Sequence, residues 1–151
     1  MSRKSMYGTF VEGMRSGWTL GTMQLLPNMV MAFALIQILN KIGLLEVLGK
    51  VFGPLMGFFG LPGEAVTVLL TAWLSAGGGV GAAAGLYTHG TLNGTHVSIL
   101  IPAIFLMGAQ LQYVGRILSV AGINSRHYKM LMLIGLLNAL LSMLIMRWLV
   151  L

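Results

Sequence analysis

The absence of charge over long stretches is the feature that most constrains how this chain can fold. No Lys, Arg, Asp or Glu occurs between Thr19 and Asn40 or between Ala65 and Gly115. Only 8% of all residues are charged and 57% are hydrophobic, whereas a soluble domain carries about 25% charged residues. Such hydrophobicity excludes a disordered chain, and the lack of cysteine excludes a disulfide framework. The sequence therefore predicts an all-α integral membrane protein.

Three segments are predicted to cross the membrane as full helices. They run from about Thr19 to Leu39, from about His96 to Tyr113 and from about Tyr128 to Leu149. Each is long enough for a hydrocarbon core of about 30 Å. Pro27 predicts a kink in the first span, where Gln24 and Gln37 should face protein or water. The third span contains Asn138 and Ser142.

Two other segments are amphipathic rather than continuously apolar. Residues Tyr7 to Trp18 have apolar side chains at helical spacing, which indicates a helix on the membrane surface or, alternatively, a frayed cytoplasmic tail. Residues Ile42 to Phe59 form a second stripe that contains charged residues and is broken at Gly53-Pro54, so an interfacial helix or a bent pair is expected. Residues 1–18 are assigned to an N-terminal segment, and residues 19–151 to a single transmembrane domain.

A glycine run divides the next apolar segment. Gly60-Leu61-Pro62-Gly63 predicts a turn, and the segment from Ala65 to Tyr87 then carries Gly77-Gly78-Gly79-Val80-Gly81 near its centre. Because each interior glycine costs about 1 kcal/mol of helix stability, a straight helix is not expected. Two interpretations remain, a broken helix that crosses the membrane and a re-entrant hairpin with its tip at the glycines.

The distribution of basic residues favours the re-entrant hairpin. With a cytoplasmic N-terminus and a full crossing, four basic residues lie inside and five outside. With a hairpin that enters and leaves on the outer face, six lie inside and three outside, which agrees with the positive-inside rule. The six are Arg3, Lys4, Arg15, Arg116, Arg126 and Lys129, and the three are Lys41, Lys50 and Arg147.

Catalysis, metal binding and nucleic-acid binding find little support. The three carboxylates, Glu12, Glu46 and Glu64, all lie near the predicted membrane–water interface. The three histidines, His89, His96 and His127, lack the spacing of metal ligands. The glycine run lacks the Lys-Ser/Thr that a phosphate-binding loop requires. The basic residues are distributed as membrane topology requires and are not gathered on one solvent-exposed face, as a nucleic-acid-binding patch would require. The chain is expected to be no enzyme, to hold no cofactor or metal, and to contact membrane lipids but no nucleic acid.

Uncharged polar groups and helix breaks coincide in two neighbouring segments, a pattern typical of a solute path. The second break is expected within Gly108 to Gln112. Candidate path residues are Gly77, Gly78, Gly79, Gly81, Gln110, Gln112, Ser75, Thr71, Asn28 and Gln24. The alternative is that the glycines permit close helix contact and the glutamines tie helices together.

Four stretches of the chain also carry a resemblance to a known family. They are Leu25-Leu26-Pro27-Asn28, Leu61-Pro62-Gly63-Glu64-Ala65, the glycine run, and Leu106-Met107-Gly108 through Val114-Gly115-Arg116. With these the chain resembles the small membrane proteins of the YjiG and spore maturation protein B family, which is assigned to the nucleoside recognition, or Gate, domain. Concentrative nucleoside transporters and the membrane part of the ferrous iron transporter FeoB share that domain.

The resemblance implies a bacterial inner-membrane protein that is half of a transporter, because the larger transporters contain two Gate units as inverted repeats. It also implies a membrane partner of the YjiH or spore maturation protein A type, with a homo-oligomer as the other possibility. The related nucleoside transporters have acidic or amide side chains at their hairpin tips, whereas this tip has glycine and valine. A nucleoside is therefore not the expected substrate.

The function expected from these features is that of one subunit of a two-component transporter or permease for a small polar solute. The solute path would run near the glycine-rich hairpin tip. The alternative is a structural or regulatory membrane subunit that assembles with or gates a partner without binding solute.

Overall fold

The chain is helical throughout the part that the structure describes. A computed structural model describes residues 6–113, 118, 121–122 and 124–151, with the backbone alone at residues 24, 25, 28, 29, 33 and 36. The helices are α1 (Met6–Leu20), α2 (Leu26–Lys41), α3 (Leu44–Gly57), α4 (Val66–Leu74), α5 (Ala76–Thr88), α6 (Gly94–Met107), α7 (Gln110–Tyr113) and α8 (Tyr128–Val150). Short 3-10 turns, Gly63–Ala65 and Ser125–His127, precede α4 and α8. The prediction of an all-α fold is confirmed.

Helices α1 and α2 are joined by a π turn, Gly21–Leu25, where the amide of Leu26 donates to the carbonyl of Gly21. Pro27 follows directly. Its ring would clash with the carbonyl four residues earlier in a regular α-helix, and a wider turn at that point relieves the crowding. The kink predicted at Pro27 therefore takes the form of a π turn. The amphipathic segment Tyr7 to Trp18 is helical as α1, which has no buried side chain.

Two helical stretches are long and apolar enough to cross a membrane, Gly94–Tyr113 and Ser125–Val150. They coincide with the second and third predicted spans. The first predicted span, Thr19 to Leu39, has no such match among the described residues, because the helix over Val30–Lys41 bends by 91° into α3. This bent pair is a third span only if its two halves are taken as one. Three full spans are therefore not confirmed.

Of the two predictions made for α3 and the turn that follows it, one is wrong and one is confirmed. The predicted break at Gly53-Pro54 is wrong, since α3 continues to Gly57. Pro54 lies in the last turn of that helix, where its missing N–H removes a single hydrogen bond. The predicted turn at Gly60-Leu61-Pro62-Gly63 is confirmed, with Gly60 in the left-handed region at φ +72°. Pro62 then starts the 3-10 turn that leads into α4.

The core lies where α4, α5, α6 and α8 meet. Its fully buried side chains include Val68, Ala72, Ala82, Leu86, Ile99, Leu100, Ile104 and Met143. Helix α2 packs along α5, and the side-chain nitrogens of Gln37 and His89 lie 2.8 Å apart at their C-terminal ends, so these two helices are parallel. Helix α6 packs along α8, and Gln110 just after α6 contacts Gly135 early in α8, so those two are antiparallel.

One end of the bundle gathers the entry and the exit of the α4–α5 segment. Gly63, just before α4, packs directly on the backbone of Gly49 in α3. Arg147, near the end of α8, donates to the carbonyl of Phe58 just after α3. His89, just after α5, meets Gln37 near the end of α2. The two ends of the α4–α5 segment therefore lie on the same side of the bundle.

The contact between Gly49 and Gly63 predicts that Gly63→Ala destabilises the protein. A Cβ at Gly63 would overlap the carbonyl oxygen of Gly49, which is backbone and cannot rotate away. Overpacking of this kind costs about 1–3 kcal/mol, so we expect a lower midpoint of thermal unfolding in detergent. Gly17→Ala in α1 is the matched control, because nothing lies within 4 Å of its Cβ position. Equal unfolding temperatures for the two variants would contradict the close contact.

Candidate functional site

Ser75 separates α4 from α5. Its backbone is extended, at φ −158° and ψ 126°, and its N–H donates to the carbonyl of Thr71 at 2.8 Å. Its Oγ accepts from the N–H of Gly78 at 3.3 Å, so Ser75 ends one helix and caps the next. The break was predicted at the glycines, and this is corrected: the glycine run lies inside α5 and is helical.

Helices α4 and α5 contact each other on either side of Ser75. A Cβ at Gly79 would lie 2.8 Å from the Cα of Ala72, although residues seven positions apart in one straight helix are about 10 Å apart. Helix α5 therefore packs so closely against α4 that Gly79 has no room for a side chain. At Gly78, by contrast, a Cβ would meet the Cβ of Ser75 and the carbonyl oxygen of Thr71 at an ordinary 3.5 Å. Close packing, the alternative considered for the glycines, is the role of Gly79.

A second break lies beside the first. Helix α6 ends at Met107, Gly108 is extended at φ −61° and ψ 130°, and Ala109 has a left-handed φ of +60°. Such a conformation costs a residue other than glycine about 1–3 kcal/mol. A Cβ at Gly108 would lie 2.7 Å from the Cβ of Ala76, so the two breaks touch. The predicted interruption between Gly108 and Gln112 is confirmed.

Three hydrogen bonds join the two breaks, and we call this set the break clasp. The N–H of Ala109 donates to the carbonyl of Ala72 at 2.8 Å. Trp73 Nε1 donates to Gln110 Oε1 at 3.0 Å, and Gln112 Nε2 donates to the carbonyl of Leu74 at 2.8 Å. Each of the last three residues of α4 thus has a partner around α7. Carbonyls that a helix end leaves without intrahelical partners are satisfied in this way.

The structure brings together part of the predicted path. Ser75, Gly78, Gly79, Gln110 and Gln112 all lie at the two touching breaks. Both glutamine side chains bond to α4, and the amide nitrogen of Gln110 also packs on Gly135.

The other predicted path residues have no side-chain hydrogen bond to the two touching breaks in the described part of the chain. Gly77 and Gly81 are helical in α5, and the hydroxyl of Thr71 donates to the carbonyls of Thr67 and Val68 in its own helix. The side chains of Gln24 and Asn28 lie outside the described part of the chain. Since α2 and α5 are parallel, their N-terminal ends lie at a similar level along the bundle.

Trp73 was not among the predicted path residues, and Ala109 was predicted only as part of the interrupted stretch from Gly108 to Gln112. A buried indole N–H usually has a hydrogen-bond partner, so Trp73 in an apolar segment was a signal for a nearby acceptor. Ala109 had no signal, because alanine is a strong helix former and only the fold imposes its left-handed conformation. A cavity of about 150 Å³ lies beside the clasp, lined by Gln110, Tyr113, Leu118, Leu131 and Met132.

Comparison with known proteins gives the relationship of this chain. The family model described as nucleoside recognition, Gate, matches residues 22–147. The chain belongs to the Gate family. It is 47% identical over 148 residues to inner membrane protein YjiG of Escherichia coli K12, covering 98% of this chain and 97% of that protein. YjiG proteins of the O6:H1 and O157:H7 strains match equally. No solved structure matches.

These findings confirm the family resemblance drawn from the sequence motifs and the membrane character drawn from composition. The matched region begins within the π turn and ends in the last turn of α8, so it contains both helix breaks and the break clasp. It leaves out α1, which has no buried residue.

The packing of Gly79 on Ala72 predicts opposite effects at two adjacent glycines. Gly79→Ala should destabilise the protein by about 1–3 kcal/mol, because its Cβ would press on the backbone of α4. Gly78→Ala should be neutral or stabilising by up to about 1 kcal/mol, because alanine favours helix. Thermal unfolding in detergent measures both. Equal destabilisation by both variants would show that α5 does not turn back along α4.

Proposed function

We propose that this chain is one subunit of a two-component inner-membrane transporter for a small polar solute, with the path at the two touching breaks. The observation that carries the proposal is the break clasp, where two interrupted helices meet. Transporters commonly bind solute near the midplane, between interrupted helices whose ends supply partial charges. No catalytic role, metal or cofactor is part of the proposal.

The proposal includes a re-entrant α4–α5 hairpin that enters from the outer face, with the N-terminus in the cytoplasm. Gly63–Leu74 has 12 residues and α5 has 13, so each arm reaches about 18–20 Å, short of a 30 Å core. The entry at Gly63 and the exit at His89 lie at the same end of the bundle. A helix that crossed fully would put them at opposite ends.

The chemistry at the breaks suits an uncharged or electron-rich solute group. Helix α5 begins at Ala76, directly after its cap Ser75, and its first N–H groups carry the partial positive charge of a helix N-terminus. The carbonyls of α4 end at the same point, where those of Ala72 and Leu74 already accept from Ala109 and Gln112. Ser75, the single residue between the two helices, is half-buried and carries a hydroxyl.

A partner is part of the proposal because this chain would supply only one such hairpin. Transporters built on inverted repeats place the solute between two related halves, and a second Gate-like chain would supply the other half. A partner of the YjiH or spore maturation protein A type fits this requirement.

One observation favours a second candidate, the structural or regulatory subunit. The side chains of Thr71, Gln110 and Gln112 all bond within the chain. Polar groups satisfied in this way stabilise a membrane fold and do not need a solute. This candidate keeps the breaks closed, so it predicts no water at Ser75.

Cysteine accessibility at Ser75 separates the two candidates. We expect Ser75→Cys, in a chain with no native cysteine, to react with a membrane-impermeant methanethiosulfonate reagent in vesicles that also contain the partner. Ser142→Cys, in the uninterrupted helix α8, is the control and should react at least tenfold more slowly. Equal, negligible labelling at both positions would support the structural subunit. Protection of Ser75→Cys by uridine, an amino acid or a sugar would then identify the solute class.

Topology has its own test, with two positions that exchange sides between the alternatives. A re-entrant hairpin puts Thr91, between α5 and α6, outside and Ser125, before α8, inside. A full crossing puts Thr91 inside and Ser125 outside. We expect impermeant reagent added to intact spheroplasts to label Thr91→Cys and not Ser125→Cys. The reverse pattern would reject the hairpin.

A further inference from the structure

Asn138 is a polar residue at the centre of the most apolar span. It lies midway between Lys129 and Arg147, nine residues from each, or about 13 Å along the helix axis. These two basic residues bracket a segment about as long as the hydrocarbon core is thick. The side chain of Asn138 is exposed, so it points away from the rest of this chain.

The hydrogen-bonding groups of the Asn138 side chain are not satisfied within the described part of the chain. No residue in the described ranges donates to or accepts from its side chain. Ser142, one turn later, shows the contrast, since its hydroxyl donates to the carbonyl of Ala139 at 2.7 Å. An amide has two donors and an acceptor, and in hydrocarbon it has no water to satisfy them. A polar group at this depth therefore indicates a protein contact.

Asn138 belongs to a regular stripe on the uncovered face of α8, which we call the outer seam. Its members are Leu131, Ile134, Asn138, Leu141, Ile145 and Trp148. They alternate in steps of three and four, which is the a/d pattern of a coiled coil with Asn138 at an a position. Every apolar member is at least 40% exposed. The opposite face of α8 holds Ala139 and Met143, which are buried against the core.

We propose that the outer seam pairs with the outer seam of a second copy of this chain, forming a parallel α8–α8 dimer in the membrane. Copies inserted with the same topology present parallel α8 helices, and in a parallel pair each a position faces the same position of its partner. Asn138 thus meets the partner's Asn138. An amide is self-complementary, because each can donate to and accept from the other. A single Asn at an a position fixes both register and the two-stranded state.

The pairing uses a face of α8 that is exposed in the described part of the chain, and only its first member, Leu131, also lines the cavity beside the break clasp. Small crossing angles of about 20° and helix separations of 8–10 Å are expected for such a seam. The dimer does not depend on solute binding, so the inference goes beyond the proposed transport function and stands or falls separately from it.

Disulfide cross-linking in native membranes tests the seam, using the full-length chain expressed without a partner. Ile134→Cys and Leu133→Cys are a matched pair, adjacent in sequence and both exposed, at 45% and 54%. Only Ile134 belongs to the seam. With copper phenanthroline, Ile134→Cys should form a covalent homodimer at least tenfold faster than Leu133→Cys. Equal rates, or a chain that stays monomeric, would overturn the proposal.

The role of Asn138 is tested in the Ile134→Cys background. Asn138→Leu should weaken dimerisation about tenfold, since an interhelical hydrogen bond in a membrane is of that order, whereas Asn138→Gln should retain it. Both proteins should unfold at the same temperature in dilute detergent, where the chain is monomeric. An unchanged dimer fraction in Asn138→Leu, or cross-linking of Ile134→Cys only to a different protein, would reject pairing through Asn138 with a second copy.

Discussion

Peptide groups at a helix break inside a membrane must find hydrogen-bond partners in the protein, and the break clasp is how this chain meets that requirement. Helix α4 ends at Leu74, inside the bundle, with its last carbonyls pointing along the axis. The segment after α6 supplies the backbone amide of Ala109 and the amide side chain of Gln112 to two of them. The hydrogen-bonding groups at one break are therefore partners for those at the other. Helix α4 can end inside the bundle only because the segment after α6 lies beside it.

Small residues make this mutual arrangement possible. Hydrogen bonds between two helix breaks require backbone-to-backbone approach, and the contacts of Gly79 with Ala72 and of Gly108 with Ala76 provide it. The cost appears at Ala109, which takes a left-handed conformation that alanine disfavours. Ala109 therefore both donates the hydrogen bond to Ala72 and carries the backbone strain. Strain held by surrounding contacts in this way is common at functional sites.

Composition and the spacing of apolar residues were sufficient to predict the all-α fold and the last two spans. Local glycine and proline signals were sufficient to predict the turn at Gly60 and the break after Met107. It misled where tertiary contacts outweighed local propensity. The helix cost of the glycines pointed to a break at Gly77–Gly81, but packing against α4 keeps those residues helical and a serine cap moves the break to Ser75. Gln110 was identified as part of the site, yet its partner Trp73 lies 37 positions away and is reached only through the fold.

The polar side chains of this membrane protein fall into groups according to where their hydrogen-bond partners lie. Thr71 and Ser142 bond to carbonyls of their own helices and need nothing further. Gln110 and Gln112 bond to a neighbouring helix, so they report how α4 and α7 are held together. Asn138 bonds to nothing in the described part of the chain and lies on a heptad face, and the proposed dimer assigns its partner to a second copy. In the proposed dimer, the hydrogen-bonding constraint that joins the two breaks within one chain also joins two chains.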